Sequence, residues 1–330
     1  MISRYQKNLV SVIIPVHNRE DLVIYSLDSV LQQTYRPIEV IVVDDGSSDN
    51  TYFTVKSWID LHAESDFMCF LFKQLNRGAP AARNYGMNMS SGEYIQFLDS
   101  DDAISKDKLK DGIYELKKDE SADFVYSLRA DFDMDRQKAV PCKDVYAPLE
   151  TGPNASQVAL NYVWTAMPIF RRNLLYLVGD WNEELTCLQD WEYIGRVASI
   201  ANKAIKIDKY HAFYRQSADN RISKQKWGTL NAVRSNAIAS TTMYSLIIRE
   251  PESETKKEAL ESLLDRLISC VRVSAACGDG TFSRSVLYSA CMHQEKRGNV
   301  KLEVAFWRII LKLPDPMLKL IFKPVRLIRG

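Results

Sequence analysis

The sequence predicts an α/β domain with a mostly parallel central sheet flanked by helices, followed by a helical C-terminal domain or extension. Three observations predict it. Short β-rich apolar runs alternate with helical patterns over the first 100 or so residues, unusual polar residues collect at the ends of those runs, and long helical periodicities take over from about Gln225. The expected division is 1–224 and 225–330.

Leu9 to Pro15 is a compact β-rich run closed by proline, which cannot donate to a sheet ladder, so it reads as a buried parallel strand. The spacing of Leu22, Tyr25, Ser26, Ser29 and Val30 predicts a helix, and Ile38 to Val43 a second strand. Asp44-Asp45-Gly46-Ser47-Ser48-Asp49 ends that strand in a turn and caps a helix that begins near Asn50 or Thr51. Met68 to Lys73 predicts a third strand, Ala79 to Met89 a short helix and Tyr94 to Leu98 a fourth strand. In such a sheet the ligand site lies beyond the carboxyl ends of the strands. Asp44 and Asp45, Asn76-Arg77-Gly78 with Arg83, and Asp99-Ser100-Asp101-Asp102 all fall there, so residues distant in sequence are expected to share one cleft.

Asp123 to Leu128 reads as a strand, and Asp131 to Gly152 as a loop or small excursion over the site. Phe170 to Val178 and Trp191 to Ser199 read as helices, and Ile205 to Tyr214 as an edge hairpin or a strand returning toward the cleft. Asn231 to Arg249, Glu252 to Ala276 and Phe282 to Glu295 give the C-terminal helices.

The 330 residues are 46% hydrophobic and 26% charged, values of a packed globular protein. Their 43 basic and 42 acidic residues leave a net charge of +1, which gives no global electrostatic case for nucleic acid as a partner. Six cysteines without Cys-x-x-Cys spacing suit a reducing compartment. Met1 to Asn8 leads into the first strand without a signal-peptide hydrophobic region, and no stretch approaches the roughly 20 apolar residues of a membrane span. The expected location is cytoplasmic, in solution or peripheral on the inner face of the cell membrane. Neither a glycine-rich dinucleotide fingerprint nor a Walker A motif is present, which removes support for redox cofactor chemistry and ordinary ATP hydrolysis.

Three acidic side chains within four positions at one strand end repel one another and are costly to desolvate. A divalent cation bridging carboxylate and phosphate oxygens offsets that cost, so Asp99, Asp101 and Asp102 are candidates to hold Mg²⁺ or Mn²⁺ with a diphosphate. A solvated acidic loop with one Asp capping the next helix is the alternative. One of Asp44 and Asp45 suits hydrogen bonds from a nucleobase, the other suits holding the turn. Arg83 suits a phosphate, an ordering contact to the Asp44-Asp45 pair, or an ordinary surface ion pair.

Four segments carry a resemblance: Val12-Ile13-Ile14-Pro15-Val16-His17-Asn18, then Val43 to Asp49, then Asn76-Arg77-Gly78 with Ala82-Arg83-Asn84, then Gly92 to Asp102. Their order and separation resemble the inverting family 2 glycosyltransferases over roughly Leu9 to Arg221. The resemblance implies the glycosyltransferase A fold, a nucleotide-diphosphate sugar donor, first of all a UDP-sugar, and Mn²⁺ or Mg²⁺. It puts Asp45 at the nucleotide base, Asp101 near the donor ribose or metal, and Asp102 foremost as metal ligand, with Pro15, Asn18 and Arg83 completing the donor side.

Gly179 to Leu185 and Gln189-Asp190-Trp191-Glu192-Tyr193 look like the family's acceptor-side segment, with Gln189-Asp190 standing where a Glu-Asp pair is usual. The resemblance makes Asp190 the catalytic base, taking the proton of an acceptor hydroxyl as that oxygen attacks the anomeric carbon opposite the diphosphate. One displacement inverts the configuration. A helix N-cap is the plainer reading of Asp190 and is compatible with the first. Gln189 removes a negative charge beside Asp190 and so lessens a like-charge rise in its pKa. Trp164, Trp181 and Trp191 join Gln189 as acceptor-side candidates, the alternative for Trp181 and Trp191 being the core. His211 to Arg221 resembles the family's return to the donor phosphates. Arg215 and Arg221 supply positive charge there, while Ser217 stands at the family's histidine position.

Residues 301–330 hold seven Lys or Arg against two acidic residues, interleaved with apolar side chains, a pattern suited to an anionic membrane surface, to the catalytic domain or to a second copy of the chain. The leading expectation is sugar transfer from a UDP-sugar to an oligosaccharide or lipid-linked glycan in bacterial surface polysaccharide synthesis. The alternatives are a nucleotidyltransferase and a noncatalytic nucleotide-sugar-binding assembly subunit.

Overall fold

A computed structural model describes residues 5–62, 64–133, 138–141, 153–216 and 229–276, with 282 and 285. The chain divides into two compact units, Met1–Glu183 with Gln189–Asp219, and Glu184–Leu188 with Asn220–Gly330.

The first unit is built on a mixed sheet whose strand order, among the described residues, is Phe67–Gln74, Ile38–Asp45, Gln6–Val16, Gly92–Phe97, Pro168–Arg171, Phe124–Asp133, Ala204–Gln216 and Ala103–Ile104, with Lys138–Pro141 paired to Phe124–Asp133. Its first half is the expected parallel one. β1 (Gln6–Val16) and β2 (Ile38–Asp45) are apolar and buried along nearly their whole paired length, as strands covered on both faces must be. β3 (Phe67–Gln74) is the edge strand, and most of its side chains are only partly covered. β4 (Gly92–Phe97) completes this half. Helices α1 (Val23–Leu31), α2 (Thr51–His62) and α3 (Ala79–Met89) make the crossovers. α3 lies so close on β1 and β2 that a Cβ on its Gly86 would meet Ile13 Cγ2 at 2.6 Å.

The pairing register brings the carboxyl ends together. Val16 pairs with Asp44, Asp45 with Gln74, and Ile13 with both Ile41 and Phe97. At the amino-terminal ends the buried Glu39 accepts hydrogen bonds from the Ser11 hydroxyl, the Ser91 amide and hydroxyl, and the Gly92 amide.

The second half departs from a mostly parallel arrangement. β8 (Pro168–Arg171) runs antiparallel to both β4 and β6 (Phe124–Asp133), β9 (Ala204–Gln216) runs parallel to β6, and β5 (Ala103–Ile104) antiparallel to β9. The residues expected to start a helix at Phe170 are therefore strand, and α6 covers only Arg172–Val178. The excursion expected from Asp131 begins as the end of β6 and returns as β7 (Lys138–Pro141), while 142–152 lie outside the described residues. α4 (Lys108–Lys118) packs on β6 and β9, and α5 (Ala155–Leu160) packs on α7 (Gln189–Ile200), whose Tyr193 ring meets Phe97 of β4.

In the second unit α8 (Leu230–Ile247) is capped by the Thr229 side chain, which accepts from the Ala232 amide, and packs on α9 (Glu254–Ala276). Met243, Ile247, Leu263, Leu267 and Val271 fill the seam. The Thr186 amide, in the other segment of this unit, donates to Ser235 Oγ at 2.9 Å. Apart from Phe282 and Ser285, the third expected helix and the basic tail lie outside the described residues.

Candidate active site

The ends of β1, β2 and β4 deliver the donor-side residues. Pro15 is buried in β1, opposite Val43, and the strand then turns out through His17 and Asn18. Asn18 has φ of 50° and its Oδ1 accepts the Ser48 amide at 2.9 Å, tying this turn to the one after β2. That second turn needs glycine: Gly46 has φ of 72°, and a Cβ on it would meet the Asn76 amide nitrogen at 2.7 Å. Asp44 Oδ1 accepts the Ser47 amide. Asp45, 3% exposed, accepts from Gln74 Nε2 and the Arg77 amide on Oδ1 and from the Gly78 amide on Oδ2, so its carboxylate binds the turn between β3 and α3. Three donors leave one lone pair of Oδ2 for a further partner.

Asp99, Asp101 and Asp102 follow β4. The loop is pinned from below by α1, where Ser26 Oγ donates to the carbonyls of Asp102 at 2.6 Å and Asp99 at 3.2 Å. It is pinned from the side by β9, where the Arg215 amide donates to Asp102 Oδ1 at 3.1 Å and Arg215 Nε to the Asp101 carbonyl at 3.1 Å. Arg19 lies 3.6 Å from Asp101. Burial, then the neighbouring Asp101 and Asp99, push the Asp102 carboxyl well above the usual range. Burial and Asp99 push Asp101 up as well.

This donor set fits a hard divalent cation: it is all oxygen, and its carboxylates gain by having positive charge between them. Among the described residues no three His, Cys, Asp or Glu side chains form a closed cage, so diphosphate and water oxygens would complete the shell, as is usual for Mg²⁺. Arg221 and Ser217 lie outside the described residues.

Arg83 joins the two sides of the site. Only 4% exposed, it donates through Nη2 to Asp99 Oδ1 at 2.6 Å and through Nη1 to Gln189 Oε1 at 3.0 Å, with its guanidinium 4.5 Å from the Trp181 ring. Its terminal nitrogens are thus engaged by Asp99 and Gln189, and not by the Asp44-Asp45 pair expected from the sequence.

Asp190 stands in the first turn of α7, which begins at Gln189 and not at Trp191. Its Oδ1 accepts the Tyr162 hydroxyl at 2.6 Å and the Trp191 amide at 2.9 Å. Burial pushes this carboxyl up to about 6; Asp99 adds to the rise, while Tyr162 and Arg83 oppose it. A base with a pKa near neutrality suits proton abstraction from a hydroxyl.

Two tryptophans expected beside an acceptor belong to the core. Trp191 is 1% exposed and donates Nε1 to the Val158 carbonyl, and Trp181 is stacked on Tyr193 at 4.1 Å. The Trp181 ring continues the Phe97 and Phe170 cluster beneath the site, where apolar area is worth more than at a wet surface. Trp164 is partly exposed, packed between Tyr162 and Tyr214 with the Arg129 guanidinium 4.2 Å from its ring. Tyr162, Arg129 and Ser26 carry no sequence signal for this site, and Tyr214 carries only that of the segment His211 to Arg221. Tyr162 is 28 positions from Asp190, and only the fold makes them neighbours.

The Glycosyl transferase family 2 model matches residues 11–176, half of the chain. The chain belongs to glycosyl transferase family 2. It is 42% identical over 102 residues to the Escherichia coli UDP-Glc:alpha-D-GlcNAc-diphosphoundecaprenol beta-1,3-glucosyltransferase WfgD, covering 31% of this family 2 chain and 38% of that one. It is 43% identical over 98 residues to glycosyltransferase GlyA of Streptococcus pneumoniae, covering 30% and 14%. The chain thus spans less than half the length of the curated relatives it matches. The solved structure of S. aureus TarS 1-349 in complex with UDP-GlcNAc superposes with a TM-score of 0.60 at 20% identity, covering 92% of this chain and 79% of that one. The mannosyltransferase PcManGT from Pyrobaculum calidifontis, in complex with GDP-Man and Mn²⁺, gives 0.56 at 19%, covering 95% and 84%. These likenesses establish the glycosyltransferase A fold: the mixed sheet flanked by helices is theirs too.

Proposed function

We propose that this chain transfers a sugar from a UDP-sugar to a hydroxyl of an oligosaccharide or lipid-linked glycan, with inversion at the anomeric carbon, in bacterial surface polysaccharide synthesis. One observation carries the reading. Arg83 links Asp99 on the donor-side loop to Gln189, the neighbour of Asp190, so the candidate donor carboxylates and the candidate base meet at one place in one unit. The relatives add the donor: WfgD is a UDP-Glc enzyme and TarS binds UDP-GlcNAc.

In this mechanism Asp45, with Pro15 and Asn18, lines the base and ribose end, and Arg215 faces the diphosphate. Asp102, with Asp101, would hold Mn²⁺ or Mg²⁺, which when bound would neutralise charge on the diphosphate. Asp190 accepts the acceptor's hydroxyl proton as that oxygen forms its bond to the anomeric carbon and the bond to UDP breaks. Trp164 and Gln189 border the acceptor. Residues 301–330 attach the enzyme to an anionic membrane surface, which raises the encounter rate with a lipid-linked acceptor.

The test is release of UDP by the purified full chain from UDP-glucose or UDP-N-acetylglucosamine, with Mn²⁺ or Mg²⁺, in the presence of a GlcNAc-diphospholipid. Acceptor-dependent release that disappears in Asp190→Asn supports the proposal. Donor binding without turnover across UDP-sugars and acceptors would favour the noncatalytic subunit. For the tail, flotation with anionic vesicles by the full chain but not by one ending near Gly298 supports attachment; flotation by neither rejects it.

A further inference from the structure

Asp190 is held through one of its two oxygens. Oδ1 takes both the Tyr162 hydroxyl and the Trp191 amide, and no group among the described residues donates to Oδ2. Resting on the reading of Asp190 as base, we infer that Tyr162 is the positioning residue of that base: its phenol engages Oδ1 and leaves Oδ2 as the oxygen that takes the acceptor's proton.

The phenol is itself fixed. Its ring packs on Trp164 with centroids 4.7 Å apart, Trp164 packs on Tyr214 at 4.9 Å, and the Arg129 guanidinium lies against both Trp164 and Tyr214, at 4.2 Å and 5.0 Å. Tyr214 directly precedes Arg215, whose amide holds Asp102. One run of packed side chains therefore leads from the base to the donor-side carboxylate, and the Tyr162 hydroxyl is its end at Asp190.

A carboxylate that accepts two hydrogen bonds on one oxygen loses rotational freedom about its last torsion, and its ionised form is favoured. Around Asp190 the other charged groups are Arg83, which also favours ionisation, and Asp99, which opposes it. Tyr162 thus does two things at once: it aims the base and keeps it ionised against the burial that raises its pKa.

The experiment is the ¹³C NMR titration of the Asp190 carboxyl in the full chain, its signal assigned by its absence in Asp190→Asn. The parent is expected to titrate at about 6. Tyr162→Phe keeps the ring and removes the hydroxyl, and is expected to move the titration up by about one pH unit. A singly fluorinated tyrosine at position 162, a stronger donor of the same shape, is expected to move it down. In UDP-sugar transfer the acid limb of the kcat profile follows these shifts, with kcat of Tyr162→Phe roughly 10-fold lower and the donor KM unchanged.

An Asp190 titration identical in the parent and Tyr162→Phe overturns the inference. Should Tyr162→Phe fail to fold, the fluorinated chain decides alone, and an unshifted titration there overturns it equally. Full transfer by Asp190→Asn instead removes the base reading, a result the titrations cannot imitate.

Discussion

Arg83 reaches across the site to Gln189, its Nη1 lying 3.0 Å from the Gln189 side-chain oxygen while Nη2 holds Asp99. A glutamate at 189 would place a carboxylate on that guanidinium and a negative charge beside Asp190. Gln189→Glu is expected to raise the Asp190 pKa above about 6, so that the acid limb of kcat/KM for UDP-sugar transfer moves to higher pH. The pH–rate profile measures it.

Asp190→Asn is expected to lower transfer by about 10²- to 10⁴-fold, with UDP-sugar affinity by calorimetry unchanged. It also has a signature in stability. The folded pKa is raised from 3.8 to about 6, so between those values the folded state binds more protons than the unfolded one. Stability is then lost as pH rises through this window. Asp190→Asn lacks that loss and should exceed the parent at pH 8, by at most about 3 kcal/mol, with the gap closing below about pH 4. Urea denaturation at several pH values reads it.

Asp102 is expected to make nucleotide binding cation-dependent. Mn²⁺ with UDP should raise the thermal midpoint, by the equivalent of about 2.7 kcal/mol at a ligand concentration 100 times Kd. Asp102→Asn should erase most of the rise, and chelation of the parent should do the same. A shift with UDP that ignores both would contradict the assignment.

Ser26 is buried under the same loop, and its hydroxyl serves the carbonyls of Asp99 and Asp102. Ser26→Ala takes the hydroxyl from the Asp102 carbonyl, while the Asp99 carbonyl keeps the Asp102 amide, and should cost about 1–3 kcal/mol of stability. Because the loop then sits less firmly, affinity for Mn²⁺-UDP should fall several-fold, a change that calorimetry detects.

The parallel half of the fold was legible because β1 and β2 are continuous apolar runs ending in polar turns, which fixes both the strands and the pole where ligands gather. β8 was not: its four residues flow into the apolar start of α6, and an unbroken apolar run does not say where extended backbone becomes helix. Trp181 and Trp191 show the same limit at single positions, since a ring beside a polar segment looks alike whether it faces a ligand or the core. Motif order singles out Asp45, Asp102 and Asp190 as candidates and leaves the role of Arg83 open. The partners that hold them, Tyr162, Ser26 and the Arg215 amide, depend on contacts between segments far apart in the chain, which no local pattern encodes.

Lys108, 1% exposed, donates Nζ to the Met167 carbonyl at 2.8 Å and to Ser127 Oγ, and burial pulls its pKa down to about 7. A lysine with a lowered folded pKa stabilises least where the unfolded lysine is charged and the folded one resists charging. Folding stability from this group is therefore lost as pH falls from about 10 toward 7. Lys108→Met should be more stable than the parent at pH 7 and lose that advantage near pH 11. Thermal unfolding across this range tests it.

Glu39 anchors the far rim of the sheet, six residues along β2 from Asp45, a separation of about 20 Å at roughly 3.3 Å per residue. Substitutions at the two rims are therefore expected to act independently. The Glu39 rim can be tightened or weakened to tune how long the protein survives while the reactive rim keeps its rates, and Glu39→Gln is the natural control for telling a lost fold from a lost reaction.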